Sequence, residues 1–404
     1  MLDFETARAR LLEQARETAS IERVRLQDTL GRVLAAPVDA PCDIPPNPSS
    51  ALDGYAIRTA DLSAGGPTVL RVTQRITAGS RGGGLARGEA ARIFTGAAMP
   101  VGADAVVPQE AALRKGDFVH FHAHPAPLED VRQKGCDLFA GERILHQGRL
   151  LRPQDIALAA SAGVATLPVY RPLRIALLCT GNELREPGDL LPEGCTYDSN
   201  RYLIPAQIKT LGMDVLAVER VEDTLEATMD AMSSAMTMAD VIMTTGGVSV
   251  GEEDHVREAI KRLGQIHIWR VNMKPGKPFT FAMLGEARTP LIGLPGNPVS
   301  AFLNFALFAR PFLLRMQGMV DDCQLTLSLP AGFVWPTPSK RREFLRARVD
   351  PCDPLRRVSL YPHQGSSALK SASWANGIAV IPEGQTLSEG DCVEFIPLSS
   401  MNLF

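Results

Sequence analysis

Residues 240–254 read Asp-Val-Ile-Met-Thr-Thr-Gly-Gly-Val-Ser-Val-Gly-Glu-Glu-Asp and combine two kinds of chemistry. Gly246, Gly247 and Gly251, with Ser249, let backbone N–H groups approach an anion closely. A helix starting just beyond adds about half a positive charge at its N-terminus, so the loop reads as an anion cradle. It then delivers Glu252, Glu253 and Asp254, which repel an anion. A divalent cation bridging phosphate and carboxylate reconciles the two, although Asp254 alone reads equally well as a helix cap. Lys274-Pro-Gly-Lys277-Pro adds two ammonium groups around a turn that Pro275 and Pro278 stiffen, and a phosphate or other oxyanion is their natural target.

Weaker signals surround these. Asp53 lies between Leu52 and Gly54-Tyr55, where an Asx-turn is the competing explanation, and Thr95-Gly96 offers a second anion loop. Asp223 with Glu226 fits a capping box. His120, His122 and His124 alternate and would share one face of a strand. They lack acidic or cysteine company, so adventitious nickel or zinc capture is the better reading than a functional metal.

The elements that must position these residues follow from periodicity. Residues 3–36 read as helical, with Phe4, Ala7, Leu11 and Ala15 on one face, until Pro37, Pro41, Pro45, Pro46 and Pro48 end the pattern. Short alternating runs at 69–76, 105–107 and 118–124 define a small β domain, and 154–163 returns to helix. Arg174-Ile-Ala-Leu-Leu-Cys-Thr180 is a buried-type strand leading into Gly181-Asn182-Glu183. Helix 200–211, strand 214–221, a methionine-rich helix 224–238, strand 241–243, a helix through Leu263, strand 265–273 and strand 290–294 continue an α/β pattern. Pro295-Gly-Asn-Pro-Val-Ser300 opens a long apolar helix to about Met316, which Pro311 should kink. Five further runs, at 325–329, 344–349, 358–361, 378–381 and 392–396, predict a small β barrel or sandwich.

With 404 residues, the chain should divide into two to four domains. A net charge of −3 supplies no global field for nucleic acid or an anionic membrane. No signal-peptide pattern is visible at the N-terminus, and no apolar run reads as transmembrane, so a cytoplasmic location is expected. Seven cysteines without a C-x-x-C pair favour reduced thiols.

Taken together, Asp53-Gly-Tyr-Ala, Thr95-Gly-Ala, Thr180-Gly-Asn-Glu, Thr245-Gly-Gly-Val-Ser-Val-Gly, Lys274-Pro-Gly-Lys-Pro and Leu294-Pro-Gly-Asn-Pro-Val-Ser lie in an order that resembles the MoeA family of molybdopterin molybdenumtransferases. The family also supplies the E domain of gephyrin. Leu52 stands where that family usually has methionine, a volume-conserving swap.

The resemblance implies a fold of four parts. These are a helical linker domain (1–40 plus 138–170), a small β domain (41–137), a mostly parallel α/β molybdopterin-binding domain of MogA/MoaB type (171–322) and a C-terminal β barrel (323–404). It implies molybdate insertion into adenylylated molybdopterin with Mg²⁺-dependent release of AMP. It also implies a homodimer whose clefts are shared between subunits, with Asp53, Thr95 and Asp137 acting across the interface. Glu183 and Asp254, with Asp223 as a third candidate, would hold the Mg²⁺ or another divalent cation. Thr180, Gly181, Asn182, Gly246, Gly247, Ser249, Gly251, Pro295, Asn297 and Pro298 would line the substrate site. Lys274, Lys277, Ser300, Arg346 and Ser366 would bind molybdate, with Arg348 and Ser367 as alternatives for the last two. The pathway's adenylyltransferase and recipient molybdoenzymes are the implied partners; nucleic acid and membrane are not. Two rivals, a gephyrin-like scaffold and the adenylyltransferase itself, fit less well. A scaffold has no use for the paired acids, and the adenylyltransferase lacks the flanking domains.

Overall fold

The structure, a computed structural model, describes residues 1–17, 20–247, 255–319 and 324–401. Its centre is a six-stranded sheet in the order Asp214–Val221, Arg174–Thr180, Val241–Thr245, Thr289–Leu294, Thr280–Leu284, Gly264–Trp269. The first four strands are parallel and the last two antiparallel to their neighbours. The central strands are buried along nearly their whole length, which explains why they read as continuous apolar runs rather than alternating ones.

Helices cover both faces. Asn200–Thr210 packs on the side of Pro298–Asn304, and Leu225–Met238 packs with His255–Leu263 on the other. The chain therefore leaves Arg174–Thr180 to one side, adds Asp214–Val221, and crosses back to place Val241–Thr245 on the other side. Such a reversal opens a crevice at the strands' C-terminal ends.

The helix at Leu225–Met238 is capped by Thr224, whose side chain accepts from the Ala227 N–H. The expected Asp223–Glu226 box is corrected by one residue: the threonine hydroxyl sits at the N-cap instead. Met232 lies fully in the core, and Leu225, Met229 and Met236 pack partly buried against it.

The long apolar helix, Pro298–Met316, is 19 residues long and apolar enough to cross a membrane, which corrects the expectation that no run is. It is 94% buried, however, and forms the core: Phe4 and Phe279 pack on its Phe308, and Phe281 packs on its Phe312. Between Pro298–Asn304 and Arg310–Met316 the backbone widens to a π turn at Phe305–Ala309. Pro311 lacks an N–H and its ring crowds the carbonyl four residues back, so the widened turn lies where the helix has to make room for it.

Two smaller sheets flank this layer. One runs Ala105–Pro108, Gly54–Ile57, Glu89–Ile93, Thr68–Ile76, Phe118–Phe121, Ala112–Lys115. The histidine run leaves it early: His120 is in the strand, whereas His122 and His124 lie beyond its end. His124 bonds the carbonyls of His122 and Ser63, so the three rings do not share one strand face. The C-terminal sheet joins Met273–Lys274, Arg342–Val349, Gly377–Ile381, Cys392–Pro397 and Leu327–Pro330, with Val358–Leu360 beside Arg342–Val349. A parallel bridge from Ala331 to Val358 links its far edge back to that last strand. The expected strand 265–273 thus breaks at Arg270, which has a φ of 65°. Its last residue joins the C-terminal sheet.

The N-terminal expectation is also corrected. Among the described residues of that stretch, the α-helix covers Phe4–Glu13 and a single 3-10 turn follows at Leu26–Asp28. Ile21-Glu-Arg-Val-Arg25 has apolar residues only at 21 and 24, a span too short to fix a helical period, and it pairs antiparallel with Thr166–Tyr170. Val38–Asp39 likewise pairs with Arg143–Leu145. Residues 21–39 and the segment after 143 therefore form one body through strand pairing, with helix Pro153–Ser161 packed on it, whereas Phe4–Glu13 packs into the central core.

Asp155, in the first turn of that helix, carries a testable consequence. Burial alone would push its carboxyl up, but the Arg152 side chain and the Arg149 guanidinium hold it down to about 2, from an ordinary 3.8. A depressed carboxyl stabilises the fold fully above its unfolded value and loses that contribution as pH falls through about 2. Asp155→Asn should cost about 2 kcal/mol at neutral pH and flatten the acid limb of the stability curve, as read by urea melts across pH.

Candidate functional site

A cleft of about 600 Å³ opens at the C-terminal ends of the central parallel strands. Thr180, Thr245 with Gly246 and Gly247, and Pro295 to Pro298 form its floor and walls, each from the end of a different strand. Gly246 and Gly247 take φ values of +86° and +62°. A Cβ on Gly246 would lie 2.5 Å from the Thr180 carbonyl oxygen, so glycine is required both by conformation and by space. Gly246→Ala should therefore lose about 2 kcal/mol or more and at least tenfold in activity, checked by calorimetry and turnover on the same preparation.

Glu183 lines the cleft and is exposed. Its carboxylate folds back over Gly181, where a Cβ would stand 2.7 Å from Oε2. No hydrogen bond or ion pair occupies that carboxylate among the described residues. A second carboxylate belongs to Asp198, which is 5% exposed, lines the cleft and accepts from the Arg201 N–H at 3.0 Å. Asn200 donates to the Gly296 carbonyl at 2.7 Å and ties two walls together. Sequence reasoning missed Asp198 and Asn200. The signal was present in Thr196-Tyr-Asp-Ser-Asn200, a cluster of capping residues at a helix start, but it read only as a helix boundary.

Beneath the floor lies Cys179, fully buried, and burial pushes its thiol up to about 12. It is a packing residue and not a nucleophile.

Ser300 lines the cleft, as do Thr180, Pro295, Asn297 and Pro298. Ser367 lines it, whereas Ser366 is tied by its carbonyl to the Val299 N–H at 3.1 Å. Arg346 is not at the surface of the cleft: it is fully buried, donating to Ser371 Oγ and the carbonyls of Phe344 and Gly365. Burial pulls its guanidinium down to about 10. In this structure Arg346 shapes the 365–367 loop, and Arg348 points outward. Asp223 lies past the edge strand and is not among the cleft residues.

Lys274 and Lys277 are both exposed on a turn whose Gly276 carbonyl accepts from Asn304 Nδ2 at 3.1 Å. Asp53 and Thr95 lie just outside the ends of strands Gly54–Ile57 and Glu89–Ile93, and Asp137 lies in a later loop; none of the three is among the cleft-lining residues. Asp53 and Thr95 are nonetheless joined: the Thr95 N–H and hydroxyl donate to Asp53 Oδ1 at 2.8 and 2.7 Å. These bonds hold the Asp53 carboxyl below its ordinary range. Ser249, Gly251, Glu252, Glu253 and Asp254 fall outside the described residues.

An open sheet with a ligand cleft at its switch point, flanked by two further β units, defines a multidomain protein built around a ligand-binding α/β domain. Residues 176–315 match the family model described as a probable molybdopterin binding domain. Residues 2–163 match the MoeA N-terminal region (domain I and II), and 328–398 match the MoeA C-terminal region (domain IV). The chain belongs to the MoeA family. It is 36% identical to the molybdopterin molybdenumtransferase of Haemophilus influenzae over 79% of this chain and 78% of that one. Against the enzyme of that name from Nostoc, identity is 34% over 93% and 88%. The crystal structure of the molybdopterin biosynthesis MoeA protein from Pyrococcus horikoshii OT3 superposes with a TM-score of 0.85 at 26% identity, covering 98% of this chain and all of that one.

Proposed function

We propose that this chain is a molybdopterin molybdenumtransferase: it inserts molybdate into adenylylated molybdopterin and releases AMP. The observation that carries the reading is a cleft that combines a positive-φ glycine turn with the disengaged Glu183 carboxylate, beside a turn bearing two lysines. The glycine turn offers backbone N–H groups to a phosphate. Pro295 to Ser300, opening the core helix, offers N–H groups and a hydroxyl from the opposite wall.

A divalent cation suits the carboxylates present. Mg²⁺ characteristically takes one or two carboxylates and completes its shell with water and substrate phosphates. Glu183 and Asp198 supply that number at the cleft, and Asp254 is proposed as a further ligand. When bound, the ion would neutralise the phosphoanhydride as its P–O bond breaks. The chain's own residues hold the adenylylated substrate against the glycine turn and present molybdate, a tetrahedral dianion, from Lys274, Lys277, Ser300 and the 365–367 loop. Asp53, Thr95 and Asp137 act from a second copy of the chain in a homodimer whose two clefts are shared. The protein works in the cytoplasm, receiving its substrate from the adenylyltransferase and passing product to recipient molybdoenzymes.

Incubation with adenylylated molybdopterin, molybdate and Mg²⁺ should release AMP in a molybdate-dependent manner. Release that ignores molybdate, or no release at all, refutes the reading.

A further inference from the structure

The strand Met273–Lys274 pairs with the edge of the C-terminal sheet, so that Lys274 and Glu343 are register neighbours. The Lys274 ammonium turns inward and lies 2.7 Å from Glu343 Oε1. Glu343 is only 2% exposed, whereas half of the Lys274 side chain faces solvent. On the far side, the Trp335 indole N–H donates to Glu343 Oε2 at 2.7 Å. Oε1 has no aligned hydrogen-bond donor among the described residues, so this oxygen faces the lysine through charge alone. Lys277, three residues on, has no ion pair with any described residue. Among the described residues the two lysines of one turn thus differ: Lys277 has no carboxylate partner, and Lys274 is paired with a buried one.

We propose that Glu343, fixed by Trp335, is a counter-anion that shares Lys274 with the substrate oxyanion and so holds the affinity of that site down. The inference rests on the reading that the lysine turn takes molybdate. An ammonium has three donors and Glu343 approaches it from one side only, while half of the lysine side chain is open to solvent and so to an oxyanion. An oxyanion binding there sits one ammonium away from a buried negative charge. That repulsion acts through partly desolvated protein and weakens binding. Glu343 also restrains the lysine's rotamers, which favours binding, but an oxyanion orders the ammonium by itself, so the charge effect dominates. The consequence is an oxyanion held firmly enough to orient and loosely enough to hand over.

The sign makes the inference testable, because a damaged or loosened site cannot bind more tightly. Equilibrium dialysis of the full-length protein against molybdate should show Glu343→Gln tightening binding about three- to tenfold, while Lys277→Ala loosens it. Unchanged or weaker binding by Glu343→Gln with a wild-type melting temperature overturns the proposal. If that variant does not fold, wild-type fluorescence decides. Molybdate should change Trp335 emission with a midpoint at the dialysis constant, and Trp335→Phe should abolish the change; a response that persists in Trp335→Phe, or none in the wild type, overturns the proposal. If Lys277→Ala binds molybdate like the wild type, it is the underlying assignment of the lysine turn that fails.

Discussion

Mixing subunits that carry Asp53→Ala with subunits that carry Glu183→Ala is expected to restore about a quarter of wild-type AMP release, although each variant alone loses at least about a hundredfold. The arithmetic follows from a shared site. Random exchange makes half of the dimers mixed, and each mixed dimer has one cleft with both acids and one with neither. The geometry motivates the pairing. Glu183 lies in the cleft of the α/β domain, whereas Asp53 is fixed by Thr95 at the edge of a different sheet and is not among the residues that line the cleft of its own chain. Glu183→Ala leaves no hydrogen bond broken among the described residues, so its loss should be chemical rather than structural. Verified subunit exchange without recovery would mean that Asp53 serves its own subunit or none.

Lys277→Ala and Glu183→Ala should fail in distinguishable ways. Removing the Lys277 ammonium takes a charge-assisted donor from an oxyanion, worth about 1.5 to 3 kcal/mol, or about ten- to a hundredfold in affinity. Raised molybdate should then restore most of the rate. Glu183→Ala removes a group required as charge develops on the phosphoanhydride, so it should lower kcat and respond to Mg²⁺ and not to molybdate. Steady-state kinetics with molybdate and Mg²⁺ varied independently separates the two. Rescue of Glu183→Ala by molybdate alone would reverse the assignment and give the lysines to the phosphates.

The central layer was largely legible in the sequence because its physics is local. A strand buried on both faces must be continuously apolar, and Arg174–Thr180, Val241–Thr245 and Thr289–Leu294 could be read from that alone. Glycine pairs and Pro-Gly turns mark the loops at their ends because only those residues allow the required backbone, as the φ of Gly246 and Gly247 shows. The motifs that tie the chain to its family are these same loops.

What the sequence could not decide was the partner of each charged group, because that depends on elements distant in the chain. Arg346 and Arg348 are indistinguishable as letters and fall on the same face of Arg342–Val349, but the loop at 365 and Ser371 cover the first and leave the second exposed. Lys274 reads as a free oxyanion ligand until strand pairing sets Glu343 beside it. The N-terminal stretch was read as helix because Phe4, Ala7 and Leu11 set a helical period. Only the strand Thr166–Tyr170, some 140 residues later, gives Ile21–Arg25 an edge to pair with. Asp198 joined Glu183 at the cleft only when the helix at Asn200 was set against the loop at Gly296. Residue type and spacing thus determined which loops could touch phosphate and oxyanion, since backbone freedom and charge are properties of the residues themselves. Tertiary packing decided which charges remain available to a ligand, since neutralisation and burial are properties of neighbours.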